Sequence, residues 1–310
     1  MQAISKQMVY LIDALHLDTP NVISIVLLRA NRDELILVDT GPESVFETVV
    51  EKVHGLGFDP GNVRHILASH IHLDHSGAAW RWAKEFGTVV HVHPNGAPHL
   101  VDPSKLLASA ARIYGNRMNE LWGATESIPQ RQVAPGTDCT LRLGSLLIKV
   151  VNTPGHANHH NAYWIESERI VFAGDAGGVK IGNGPLVPPF PPPEINVELW
   201  RDSLAKIRAL GPRSMYVTHF GEVPDPLSSL DGLETRLDTW PDWIRRQMNQ
   251  GKSEEEMLPG FQAFVDEELR TGGATEEDMK IYEQADPASM SIPGLTRYWR
   301  KFHPEVIAHV

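Results

Sequence analysis

His70-Ile71-His72-Leu73-Asp74-His75 places three imidazoles and one carboxylate within six residues. Imidazole and carboxylate are ligands that zinc and other first-row divalent ions prefer. The run follows residues 63–69, an apolar stretch that reads as a buried strand. Residues two apart on an extended segment point to the same side, so His70 and His72 can grip one ion. Asp74 and His75 fall where the chain turns toward a helix predicted over residues 77–86, so they can face a second ion.

Working outward, strand-like and helix-like segments alternate over the first 220 residues. Residues 22–29 and 34–39 are β-rich and separated by Ala30-Asn31-Arg32-Asp33, a hairpin signal. The second run ends in Val38-Asp39-Thr40-Gly41, a strand followed by a turn. Residues 43–56 have helical apolar spacing, and residues 88–93 read as a strand. Residues 94–133 are mostly helical. Strands return at 139–143, 145–152, 162–166, 170–173 and 214–218, with a helix over 197–210. Residues 183–193 are too rich in proline for regular structure. Three more ligand-type residues stand just past strands: His156 in Thr153-Pro154-Gly155-His156, Asp175 in Ala173-Gly174-Asp175, and His219 in Val217-Thr218-His219. Polar residues at the tips of apolar strands are where α/β proteins place their sites.

Taken in this order, His70, His72, Asp74, His75, His156, Asp175 and His219 resemble the metallo-β-lactamase-fold superfamily, over residues 22–221. Val38-Asp39-Thr40-Gly41 is similar to that family's early Asp motif, in which the Asp supports the site from behind its ligands. The resemblance implies a four-layer αββα sandwich, two mixed sheets face to face with helices outside. It also implies two divalent ions, zinc first and iron or manganese as alternatives. His70, His72 and His156 would hold one, Asp74, His75 and His219 the other, and Asp175 would bridge them. A hydroxide between the ions would attack the scissile carbonyl or phosphoryl group, because metal binding lowers the pKa of water to about 7. Asp74 could also shuttle a proton to the leaving group. With the ligand set full, His160 reads as a residue bracing the ligands.

Within the superfamily, class B3 β-lactamases lack the bridging Asp that this chain has as Asp175. Flavodiiron proteins carry a Glu where this chain has His72. Homoserine lactonases often have a Tyr where this chain has Gly178. Glyoxalase II-like thioesterases share all seven positions. The expected reaction is hydrolysis of a small ester, lactone or thioester. The alternatives are a mononuclear iron persulfide dioxygenase, or a phosphodiesterase or β-lactamase on the same site. Tyr114 and Trp122 in the helical insertion, and Phe190 in the Pro-rich loop, are candidates for lining the substrate pocket.

The 310-residue chain has a net charge of −11, which argues against broad nucleic-acid binding. A single cysteine, Cys139, excludes an internal disulfide framework and a Cys-rich metal cluster. No run of about 18 apolar residues suggests a membrane span. Residues 1–18 lack the apolar core of a signal peptide, so a soluble cytoplasmic protein acting on a small molecule is expected. The expected domains are residues 1–225, carrying the insertion at 94–133, and an all-helical extension at 226–310. Leu227, Leu230, Leu233, Leu237, Trp240, Ile244 and Met248 recur at helical spacing there. That face can cover the α/β body or make a homodimer contact. Pro241 is expected to kink or restart the helix.

Overall fold

The computed structural model describes residues 8–307. The opening residues 1–7, part of the segment read as lacking a signal peptide, lie outside the described residues. The strands form two six-stranded mixed sheets. The first runs β1 (Val9–Asp13), β2 (Ser24–Asn31), β3 (Glu34–Val38), β4 (Val63–Leu67), β5 (Val89–Val92) and β6 (Val133–Pro135) in spatial order. The second comprises β7 (Thr140–Leu143), β8 (Leu146–Asn152), β9 (Asn161–Ile165), β10 (Ile170–Phe172), β11 (Ser214–Val217) and β12 (Gly221–Val223), again as sequential neighbours.

The chain divides into two compact units. One comprises Met1–Asn152 with Tyr163–Ser167, the other Thr153–Ala162 with Glu168–Val310. The division falls after β8, and the C-terminal helices share a unit with β10 to β12.

In the first unit, β3 to β6 are parallel; β3 buries Leu35 to Val38 in a continuous run, and β4 buries Val63, Ile66 and Leu67. Helices α1 (Phe46–Gly55), α2 (Leu73–Ser76), α3 (Ala79–Phe86), α4 (Ala97–Val101), α5 (Ser104–Tyr114) and α6 (Met118–Trp122) follow in turn. Helix α1 buries Phe46, Val49 and Val53, spaced three and four apart, and Phe46 meets the edge of the fully buried Trp82 of α3 at 5.3 Å. Register then sets up chemistry. Val38 lies opposite Leu67 on parallel strands, so the chain leaves β3 and β4 side by side, at Asp39 and at Ser69-His70.

The second unit repeats the device. Phe172 of β10 pairs in parallel with Tyr216 of β11, and three residues beyond each lie Asp175 and His219. Here α7 (Val197–Ala209) is capped by the Asn196 side chain, which accepts from Leu199 N–H. Helices α8 (Pro226–Met248), α9 (Glu254–Thr271), α10 (Glu276–Ala285) and α11 (Ala288–Phe302) complete it. Capping boxes at Ser253/Glu256 and Thr275/Asp278 start α9 and α10. Helix α8 runs unbroken through Pro241 and buries the predicted apolar stripe, except that Leu227 is exposed.

Three other departures are local. Strand β1, not expected from the sequence, carries the apolar run Val9-Tyr10-Leu11-Ile12, yet only Ile12 of it is buried. Strand β12 is three residues long. The insertion is three short helices followed by an irregular stretch. Among the described residues, no helix is long and apolar enough to cross a membrane.

Candidate metal centre

The first unit gathers His70, His72, Asp74 and His75 at the end of β4, where α2 begins with Leu73. The turn after β3 braces them. Asp39 takes a left-handed backbone (φ 58°) and is buried. One carboxylate oxygen accepts from Ser69 N–H at 2.7 Å, and the other accepts from Ser69 Oγ–H at 2.9 Å and His75 Nδ1–H at 2.8 Å. Thr40 holds the same histidine by its carbonyl, through its N–H at 2.7 Å and its hydroxyl at 3.0 Å. His70 Nδ1 meets Ser69 Oγ at 3.1 Å. With the serine proton given to Asp39, both imidazoles carry hydrogen on Nδ1 and keep a lone pair on Nε2. That is the tautomer a histidine needs to bind a metal through Nε2.

The second unit gathers His156, Asp175 and His219. His156 follows Gly155, whose φ of 142° and missing Cβ are both required: a Cβ there would lie 2.4 Å from Trp200 Cα. His156 Nδ1–H donates to the Pro189 carbonyl at 3.0 Å, which again leaves Nε2 its lone pair. Asp175 lies on a 3-10 turn that Trp200 Nε1–H pins through the Ala176 carbonyl at 2.9 Å. The Trp200 ring also meets His156 edge-on, 5.6 Å between centroids. His160 uses both ring nitrogens: Nε2 accepts from Ala176 N–H at 3.3 Å, and Nδ1–H donates to Thr153 Oγ1 at 2.8 Å. It braces the Asp175 turn. The His219 backbone is fixed by Lys180, whose N–H donates to the His219 carbonyl.

Distances within each unit fit the donor set to metal. Ligand atoms about 2.0–2.2 Å from a shared ion, at angles of roughly 90–120°, stand roughly 2.8–3.8 Å apart. In the first unit His70 Nε2 and His72 Nδ1 are 2.9 Å apart, and His75 Nε2 and Asp74 Oδ2 are 3.5 Å apart. Ligand atoms of His70 and His75 lie within 4.8 Å of one another. In the second unit Asp175 offers one oxygen 3.4 Å from His156 Nε2 and the other 3.8 Å from His219 Nε2. The separations of 3.4, 3.5 and 3.8 Å are too long for good hydrogen bonds. They suit atoms that share a cation. His70, His75, His156, Asp175 and His219 are buried, while His72 and Asp74 are partly exposed.

The candidate pocket residues divide between the units. Trp122 stacks on His16 at 5.6 Å and meets Tyr114 edge-on at 5.0 Å. Both pack in one apolar cluster with Leu73, the residue between His72 and Asp74. Phe190 has no exposed surface and packs against Trp200 and Trp240, so it braces the Pro-rich loop. Ser69, Trp200 and the Pro189 carbonyl escaped the reading of the sequence. Of the three, only the serine, adjacent to the histidine run, has a local signal that could have marked it, whereas a tryptophan on a distant helix and a backbone carbonyl leave none.

The family profile described as the metallo-beta-lactamase superfamily matches residues 18–219, a span that contains every residue of both clusters. A metallo-beta-lactamase fold-containing protein of Sulfurisphaera tokodaii is 27% identical over 164 residues, 51% of this chain and 61% of that protein. A hydroxyacylglutathione hydrolase of Methylobacterium sp. is 38% identical over 96 residues, 31% of this chain and 35% of that enzyme. The chain thus spans between a third and two thirds of the length of these relatives. The crystal structure of a metallo-beta-lactamase family protein from Thermus thermophilus superposes with a TM-score of 0.65 and 19% identity, covering 90% of this chain and 88% of that one. The fold is accordingly the αββα sandwich with helices following it, and the chain belongs to the metallo-beta-lactamase superfamily.

Proposed function

We propose that this protein is a dinuclear metal-dependent hydrolase that cleaves a small ester, lactone or thioester. The observation that supports two ions most directly is Asp175, whose two oxygens each stand beside a different imidazole, His156 and His219. The first unit has the matching division, a His70/His72 pair and an Asp74/His75 pair. In family order, His70, His72 and His156 would hold one ion, Asp74, His75 and His219 the other, with Asp175 common to both. Zinc is the first choice for this donor set, and iron or manganese would also suit it. Ions held there would supply a water of pKa about 7 and a Lewis acid for a carbonyl oxygen.

The chain's own groups do the rest. Asp39, Ser69 and the Pro189 carbonyl fix three imidazoles by Nδ1 and so fix the direction of three lone pairs. The Asp74 carboxylate, 22% exposed, sits within reach of solvent and can carry a proton to the leaving oxygen or sulfur. Ester, lactone and thioester substrates are favoured over extended nucleic acid by the net charge of −11. Similarity to a hydroxyacylglutathione hydrolase points the same way.

The test is a panel of small esters, lactones and thioesters, run on protein as purified, after chelation and after zinc is restored. Turnover should vanish on chelation and return with the metal. Turnover indifferent to chelation, or oxygen uptake on a persulfide by iron-loaded protein in place of hydrolysis, would overturn the proposal.

A further inference from the structure

The loop between Asn183 and Pro193 contains six prolines, at 185, 188, 189, 191, 192 and 193. Proline has a carbonyl but no N–H, so this loop is a row of acceptors with few donors to hold itself by backbone bonds. Within residues 185–193, Val187, which pairs with Val179, is the exception. The C-terminal helices supply the missing donors. Tyr282 Oη–H of α10 donates to the Pro185 carbonyl at 2.6 Å, and Arg236 Nη1–H of α8 donates to Leu186 at 3.4 Å. Arg297 Nε–H of α11 donates to Pro193 at 3.1 Å. The remaining carbonyl of interest, Pro189, accepts from His156 Nδ1–H.

Packing points the same way. Phe190 is fully buried against Trp200 and against Trp240 of α8. Helix α11 crosses the loop at Gly294 so closely that a Cβ there would lie 1.8 Å from the Phe190 carbonyl oxygen. That oxygen is one peptide away from the group that orients His156.

We propose that the C-terminal helices α8, α10 and α11 act as a clamp that positions His156 through the Pro189 carbonyl. Tyr282, Arg297 and Gly294 are then positioning residues for the metal centre. The extension is part of the site's support rather than a cover added to it. This inference rests on the reading of His156 as a metal ligand.

The experiment compares the full-length wild type with Gly294→Ala, Arg297→Gln, Arg297→Lys and Tyr282→Phe. Zinc affinity is read by chelator competition, ligand geometry by the absorption spectrum of the cobalt-substituted protein, and folding by circular dichroism. Gly294→Ala should weaken one of the two ions about 10–100-fold and shift the cobalt spectrum, with helix content unchanged. Arg297→Gln should do so less strongly, and Arg297→Lys should restore part of the loss. If Gly294→Ala fails to fold, Arg297→Gln combined with Tyr282→Phe removes two donors without overpacking and should give the same signature. Wild-type affinities and an unchanged cobalt spectrum in the folded variants would overturn the clamp. A wild type that binds no metal would overturn the hydrolase reading instead. The clamp would then be read from the His156 Nδ1–H resonance by NMR, protected in wild type and lost in Gly294→Ala, and an unchanged resonance would overturn it.

Discussion

Replacing Asp39 with Asn changes one atom at the point where three hydrogen bonds meet. The Asn oxygen can still accept from Ser69 N–H, but its NH2 group replaces the oxygen that accepts from Ser69 Oγ–H and His75 Nδ1–H. Two donors then face a third. Hydrogen bonds to a charged acceptor contribute about 1.5–3 kcal/mol each. Loss of both sets an upper cost of roughly 3–6 kcal/mol, reduced where the Ser69 hydroxyl rotates away. His75 escapes the clash by moving its proton to Nε2, and that consumes the lone pair a metal needs. Asp39→Asn should therefore be destabilised in urea unfolding. It should also lose zinc affinity about 10–100-fold at the ion that His75 helps to hold, as measured by chelator competition. Stability within about 0.5 kcal/mol of wild type, with zinc affinity unchanged, would refute this account of Asp39.

Other outcomes follow from single contacts. Trp200→Phe keeps the ring edge on His156 but abandons the bond to the Ala176 carbonyl, so it should cost about 1–3 kcal/mol and loosen metal binding, read by calorimetry and metal titration. Trp240→Ala empties a buried site against Phe190 and Phe261 and should cost about 3–5 kcal/mol in denaturant unfolding. Burial, with help from the neighbouring His65, pushes the His91 imidazole down to about 4 from its ordinary 6.5. The unfolded chain takes up that proton first as pH falls. The contribution of His91 is thus complete above about pH 6.5 and lost between about pH 6.5 and 4, about 3 kcal/mol in all. In His91→Gln, the fall in stability between about pH 7 and pH 4.5 should be shallower, and an equally steep fall would contradict it.

Much of the candidate site was legible because its residues are local in sequence and rare in kind. The His70 to His75 run declares itself. Asp175 and His219 stand where apolar strands end, and parallel register between Phe172 and Tyr216 makes them neighbours. The helices were legible by their apolar spacing, and α8 even kept its stripe across Pro241 because the exposed and buried faces are unambiguous. What escaped was non-local. The Pro189 carbonyl orients His156 across 33 residues, and nothing in a proline-rich stretch marks one carbonyl among many. Phe190 is a candidate for the wall of a pocket because it follows Asp175 and is aromatic. Its neighbours Trp200 and Trp240 come from separate helices, and only packing reveals that it is enclosed. Strand β1 has the apolar run Val9-Tyr10-Leu11-Ile12 but stands at a sheet edge with only Ile12 buried, so its apolar residues do not alternate cleanly between a buried and an exposed face.

The most direct test of the dinuclear reading is elemental analysis of metal per chain, on full-length protein purified without chelator, wild type beside Asp175→Ala. Close to two equivalents of zinc or another divalent ion are expected in the wild type, with a clear loss in Asp175→Ala. One equivalent of iron, or the same metal content in both proteins, would contradict that reading.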